Sequence, residues 1–244
     1  MVDMTLRMRR VIGLLLILSA VAVAVWQYYG SQPVTPTVEP SQQRQPQNSP
    51  ELKSATRAAD VLAKIVIKGR APKTNYQREQ FGDGWLRVGN CDMRNIILNR
   101  DLTNVIVNDE CKVTSGTLLD PYTGMMIQFA SGEATSPLVQ IDHVVALSNA
   151  WQTGAQLLTY ERRIELANDP LELLAVDGSA NQSKGDGDAA TWLPANKPFR
   201  CQYVARQIAV KAKYSLWVTQ AEFDAMERVL SSCPDQTVPL VLPS

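Results

Sequence analysis

The sequence predicts an α+β fold, a single domain behind an N-terminal membrane segment. Three observations predict it. Apolar residues recur at helical spacing in some stretches, as at Leu52, Ala55, Ala58-Ala59, Leu62 and Ile65-Val66, the period that sets them on one helix face. Elsewhere, short apolar runs flank turn residues, as on either side of Asp120-Pro121-Tyr122-Thr123-Gly124, the mark of a hairpin. Finally, Val11 to Val25 is unbroken by charge.

That last run defines the first segment. Arg7, Arg9 and Arg10 precede it, and Trp26, Tyr28 and Tyr29 follow it. Basic residues before an apolar stretch and aromatics after it suit a membrane span with its N-terminus in the cytoplasm. Residues 1–30 are expected to be an uncleaved signal anchor. The alternative is a signal peptide cleaved near Ala22-Val23-Ala24, a small-x-small site. Either one exports the rest of the chain, anchored on the extracellular side of the membrane or secreted. Residues 31–49 are rich in Pro, Gln, Ser and Thr; they bury too little apolar surface to fold and read as a tether. Residues 50–233 are long enough for one domain with its own core, and residues 234–244 read as a flexible tail.

Within the domain, Ser49-Pro50-Glu51 opens a helix, with Ser as N-cap and Pro in the first turn. It is expected to run to about Ile67 and to stop at Gly69-Arg70-Ala71-Pro72. Asn75 to Trp85 is irregular, with Gly82 and Gly84 as turn residues. Cys91 to Leu102 is a second helix and Val105 to Val107 a short extended segment. Cys111 to Leu119 and Met125 to Phe129 form a hairpin, because Asp120 and Pro121 start a turn and Gly124 supplies positive φ. The hairpin is expected to support the strand Val139 to His143, which passes into a helix over Ala146 to Thr153. Tyr160 to Ala167 is another helix, ended by Asn168-Asp169-Pro170. Leu171 to Val176 is an apolar strand, Asp177-Gly178 a turn, and Ser179 to Lys184 a short helix. Asn196 to Lys213 is helical, and Thr219-Gln220-Ala221-Glu222 is a capping box for a last helix ending near Ser231.

Charge and cysteine usage narrow the function. The chain has 24 basic and 24 acidic side chains, a balance unlike that of most nucleic-acid binders. The distribution says more. Residues 52–100 hold 10 Lys/Arg against 4 Asp/Glu, residues 101–190 hold 4 against 13, and residues 191–213 hold 5 against none. Basic blocks around an acidic centre suit a cation site flanked by phosphate contacts, or simply two solvated helices. The four cysteines, Cys91, Cys111, Cys201 and Cys233, form no C-x-x-C pair, and there is one histidine, which excludes the usual structural zinc sites. In an exported domain an even count points to two disulfides. Of three connectivities, Cys91–Cys111 and Cys201–Cys233 are expected, because each pair bounds a local segment. Gly185-Asp186-Gly187-Asp188 is oxygen-rich but lacks the later Glu of an EF-hand loop.

The only histidine, His143, follows Asp142 at a strand end. A carboxylate there can hold a divalent cation, and an imidazole can take a proton from water; the bland alternative is a satisfied core histidine. Downstream stand Leu171-Glu172-Leu173-Leu174 and then Asn181-x-x-Lys184. This ordered set resembles the HNH nucleases. The likeness is closest to a secreted bacterial branch related to the C-terminal nuclease domain of GmrSD-type restriction enzymes. Phe81-Gly82-Asp83-Gly84-Trp85, Cys91-Asp92-Met93-Arg94-Asn95, Arg100-Asp101-Leu102, Asp120-Pro121-Tyr122-Thr123-Gly124 and Trp192-Leu193-Pro194 extend the likeness over roughly residues 50–233. Two positions depart from the pattern: Ala146 where Pro is common, and Glu172 where Asn is usual.

The resemblance implies a ββα-metal (His-Me finger) core with surrounding helices. It implies hydrolysis of nucleic-acid phosphodiester bonds, with DNA favoured over RNA, by a monomer. Asp142 and Asn181 would ligate one divalent cation, Mg²⁺ first and Mn²⁺ second, and His143 would be the general base. Lys184 or Arg94 would bind phosphate, Glu172 would orient His143, and Arg78, just before the Phe-Gly pair, would take a substrate or structural role. Two rival readings stand beside it: a non-catalytic cell-envelope module that keeps the HNH fold, and a phosphodiesterase acting on another phosphoester.

Overall fold

A computed structural model describes residues 25–28, 30, 56–132 and 135–239. The expected anchor, apart from a helical turn at 25–28, lies outside the described residues, as do the tether and the opening Ser49-Pro50-Glu51. Among the described residues, no helix is long and apolar enough to cross a membrane. Residues from Lys53 onward form one compact unit of mixed α and β structure.

Among the described residues, three small sheets and seven short helices make this unit. Helix α1 (Ala58–Leu62) is shorter than expected. Its apolar period continues to Ile67, but Val66 and Ile67 pair with Val218 instead, and Val218 N–H donates to the Val66 carbonyl at 3.1 Å. After the 3₁₀ turn Arg78–Phe81, β1 (Arg87–Val88) and β2 (Cys91–Asp92) form a minimal hairpin. Asp92 does not lie inside the second helix but caps it, accepting from Asn95 N–H, so α2 runs Met93–Asp101. Strands β3 (Thr103–Val107), β4 (Val113–Leu119) and β5 (Met126–Ala130) then form a three-stranded antiparallel sheet.

The expected hairpin is therefore present as β4–β5. It supports the strand carrying Asp142 and His143 by side-chain packing and the Tyr122–Asp142 hydrogen bond, and not by backbone pairing. Among the described residues that strand, β6 (Val139–His143), pairs only with β7 (Leu173–Asp177), with His143 opposite Leu173 and Asp142 opposite Leu174. Side chains occupy the outer edges of this ribbon where further strands would bind. Asp101 accepts from Ala175 N–H at 2.9 Å, and Asp120 accepts from Asp177 N–H at 2.8 Å. Arg100 and Arg206 donate to the Leu173 carbonyl, and Arg94 donates to that of Val139. Satisfied edge groups have no need of a third strand. The hairpin meets the ribbon through its turn residues Asp120 and Tyr122 and through Leu118 and Phe129 in a shared core.

Between β6 and β7 lie α3 (Leu147–Gln152) and α4 (Tyr160–Ala167). Directly after β7 comes α5 (Gly178–Lys184). The expected turn at Asp177 is the N-cap of that helix, its carboxylate accepting from Ala180 N–H. Helices α6 (Arg200–Lys213) and α7 (Gln220–Leu230) close the unit. Thr219 caps α7, accepting from Glu222 N–H at 3.1 Å.

The ribbon divides two cores, because successive strand residues face opposite ways. Val139, Ile141, Leu173 and Ala175 join Met93, Ile97, Leu98, Leu118 and Phe129 on one side. Leu174 and Val176 join Tyr203, Val204 and Ile208 on the other. The C-terminal basic block is mostly turned inward. Lys211 is fully buried on Glu222, Arg206 donates to Leu171 and Pro170 carbonyls, and Lys213 pairs with Asp169.

Both disulfides pair as expected, Cys91–Cys111 and Cys201–Cys233. The second ties the end of α7 to α6. The tail begins later than Pro234: Ala58 N–H donates to the Gln236 carbonyl, and Val238 N–H to that of Thr56. Replacing Cys201 and Cys233 together by Ser is expected to cost about 2–5 kcal/mol, the usual range for a native bridge. A denaturant titration at constant slope reads this loss. An unmoved midpoint would show that the bridge adds nothing to the α6–α7 contact.

Candidate active site

Asp142 and His143 are adjacent on β6 and point to opposite faces, so the structure separates them into two environments. On one face, His143 is only 6 % exposed. Its ring stacks on Trp85, with centroids 5.8 Å apart and planes 6° from parallel. Its Nε2 lies 3.0 Å from the Ala167 carbonyl at the end of α4. A carbonyl only accepts, so Nε2 carries the proton and Nδ1 carries the lone pair. No protein group among the described residues bonds Nδ1, and it is not sealed off as a buried unpaired atom. The ring helps line an open pocket of about 160 Å³ with Arg78, Phe81, Gly82, Gly84, Trp85, Leu147 and Ala167.

Burial first, and then the Arg78 charge, push the His143 imidazole down to about 3, against the opposing pull of the Ala167 carbonyl. The ring is therefore neutral at neutral pH, with its lone pair free but its affinity for a proton weakened. The same shift makes the fold sensitive to acid. An unfolded histidine titrates near 6.5, so between roughly pH 6.5 and 3 the unfolded chain binds the proton that the folded chain refuses. Stability therefore falls as pH drops through this window, by about 3 kcal/mol from this group at pH 4. His143→Gln should lose less stability than wild type between pH 7 and 4. Parallel melting curves for the two proteins would contradict the burial argument.

On the other face, Asp142 is 5 % exposed and both its oxygens are taken. Oδ1 accepts from the Lys184 ammonium at 2.9 Å, and Oδ2 from the Tyr122 hydroxyl at 2.5 Å. Lys184, at 3 % exposure, also donates to the His143 carbonyl at 2.8 Å. Burial, with Asp142 next, holds the Tyr122 hydroxyl well above its ordinary value, so it stays a donor.

The other expected site residues divide between these environments. Asn181 lies on α5 and donates to Gln140 at 2.9 Å, not to Asp142. Glu172 holds the chain after the histidine and not the ring, its Oε2 accepting from Val145 N–H at 3.1 Å. Its Oε1 is buried without a partner, and burial raises this carboxyl well above the carboxylate range. Arg94 donates to the Val139 carbonyl and lines a separate groove beside Cys91–Cys111 with Arg87 and Lys112. Neither Lys184 nor Arg94 lies in the His143 pocket. Trp85, Tyr122 and the Ala167 carbonyl were not assigned from the sequence. The first two lie inside the matched Phe81–Trp85 and Asp120–Gly124 motifs, and that was the available signal.

The fold is that of a single-domain mixed α/β protein, with a buried, neutral imidazole at a strand end. The family of GmrSD restriction endonucleases, C-terminal domain, matches residues 92–229. The chain belongs to this family. It is similar to an uncharacterized secreted protein of Arthroderma benhamiae, 38% identical over 187 residues, covering 75% of this chain and 88% of the relative. No solved structure matches it.

Proposed function

We propose that this protein is an exported nuclease that hydrolyses phosphodiester bonds with His143 as general base. The observation that carries the reading is the state of the imidazole. Its Nε2–H is fixed on the Ala167 carbonyl, its Nδ1 is unpartnered, and it lines an open pocket. Such a ring can accept the proton of an attacking water. Family membership supports nucleic acid as the substrate, and the order β6, β7, α5 supports the HNH reading. Export is supported by the two disulfides and by the relative's name. The relative is fungal and lends no support to the bacterial branch expected from the sequence.

Asp142 and Asn181 are oxygen donors of the kind the divalent cations Mg²⁺ and Mn²⁺ prefer. As arranged, they do not fit one: Lys184 and Tyr122 fill both Asp142 oxygens, and Asn181 is turned to Gln140. Among the described residues, no three His, Cys, Asp or Glu side chains converge as ligands.

The closed Asp142–Lys184 pair also favours a second reading, a non-catalytic envelope module on the same fold. Nicking of plasmid DNA and cleavage of a labelled RNA together separate the two. The nuclease reading expects wild type to cleave DNA or RNA, with Mg²⁺ or with EDTA, and His143→Ala to fail. A wild type inert on both substrates, with and without divalent ions, leaves the envelope module.

A further inference from the structure

We propose that Arg78 is a catalytic residue of this site, its guanidinium binding the scissile phosphodiester beside His143. The inference rests on the nuclease reading and deepens it by naming the cation that meets the phosphate.

Arg78 and His143 line the same pocket. The cations expected to serve there are engaged elsewhere, Lys184 inside the fold and Arg94 on the Val139 carbonyl. Arg100, Arg163 and Arg206 are likewise bonded to backbone carbonyls. Arg78 is exposed, and among the described residues its side chain makes no hydrogen bond or ion pair. An unpaired guanidinium at the mouth of a pocket is free to take two phosphate oxygens in a fork.

Its position is built into the fold. Arg78 opens the 3₁₀ turn Arg78–Phe81, and Phe81 is buried against Tyr76 and Trp151, with ring centroids 6.4 and 6.3 Å away. Arg163 of α4 donates to the Gln80 carbonyl at 2.7 Å and to its side chain at 3.0 Å. Gly82, at φ 98°, lies so close to α4 that a Cβ would sit 3.2 Å from Ile164. Asn168, just after α4, accepts from Leu86 N–H at 2.8 Å. Helix α4 thus anchors the Arg78 loop along its length, and its last residue, Ala167, holds the His143 ring. One rigid element fixes where the Arg78 backbone lies relative to the base, and the side chain reaches from there into the pocket. The loop also precedes residue 92, where the family match begins, so the matched region alone omits five of the eight residues that line the pocket.

In the reaction, a water oxygen attacks phosphorus and its proton passes to His143 Nδ1. The P–O3′ bond breaks, and its electron pair leaves on O3′, which takes a proton from solvent. Charge gathers on the non-bridging oxygens, and Arg78 offsets it without gaining or losing a proton.

The test measures cleavage of a labelled oligonucleotide by the full chain. Arg78→Ala should lower kcat by about 10²–10³, the range for losing one transition-state donor, with a smaller change in KM. Arg78→Lys should recover part of the loss. Added guanidinium ion should rescue Arg78→Ala but not His143→Ala, a response that a merely structural arginine would not give. Oligonucleotide binding supplies a readout independent of turnover. In a His143→Ala background, Arg78→Ala should reduce the slope of log affinity against log salt by about 0.7–0.9, the loss of one phosphate contact. An active wild type with wild-type cleavage in Arg78→Ala, or an unchanged salt slope, overturns the Arg78 assignment alone. An inert wild type overturns the nuclease reading beneath it.

Discussion

His143→Ala is expected to lower cleavage by about 10²–10⁴, the usual contribution of a general base. The physical case rests on the tautomer. Nε2–H is committed to the Ala167 carbonyl at 3.0 Å, so the lone pair is on Nδ1, and the depressed affinity for protons keeps it free at neutral pH. The acid limb of a pH–rate profile therefore belongs well below neutrality, not near it as the residue type alone suggests. Because the ring is buried and stacked on Trp85, truncation to Ala also costs packing. His143→Gln, closer in size, serves as the folded control and should be equally inactive. If either variant retains wild-type cleavage, His143 is a core residue and the proposed site is wrong.

Lys184→Met is expected to cost about 3–5 kcal/mol, the penalty for leaving a buried charge without its partner. For a domain of this size that is a fall of roughly 6–20 °C in thermal midpoint. Asp142 keeps its Tyr122 hydrogen bond, but the ammonium that neutralises it is gone. Lys184 also releases the His143 carbonyl, so the end of β6 should loosen along with the ion pair. The variant also tests the cation. If Mg²⁺ or Mn²⁺ binds Asp142, it competes with Lys184 for the same oxygen, and Lys184→Met should bind it more tightly in a calorimetric titration and recover part of its lost stability. Equal, absent binding in both proteins would remove Asp142 as a ligand. A midpoint unchanged by the substitution would show that the pair contributes nothing to the fold.

Much of the fold was legible in the sequence because it is written in local chemistry. Tyr160–Ala167 is helical where its period and the Asn168-Asp169-Pro170 stop place it. Asp120 to Gly124 turns a hairpin, Thr219 caps the last helix, and each cysteine pairs with the partner that bounds its own segment. The strand-end position of Asp142-His143 was also readable, from a β-branched run passing into a helix.

Tertiary structure alone decided what those residues touch. Val66 and Ile67 continue a helical period, yet a bridge to Val218 takes them out of the helix, since a long-range backbone pairing outweighs a weak local preference. The partner of β6 could not be read from turn signals, because side chains from α2 and the β4–β5 turn satisfy the ribbon's outer backbone groups. Asn-x-x-Lys was visible as a motif. Only the packing of α5 on β6 turned Lys184 inward to Asp142 and left Asn181 on Gln140. The His143 pocket was least legible of all. Its walls come from Arg78, Trp85 and Ala167, which meet only when α4 folds back over the Arg78 loop. Sequence by itself determined which residues can do chemistry; chain packing determined which of them face one another.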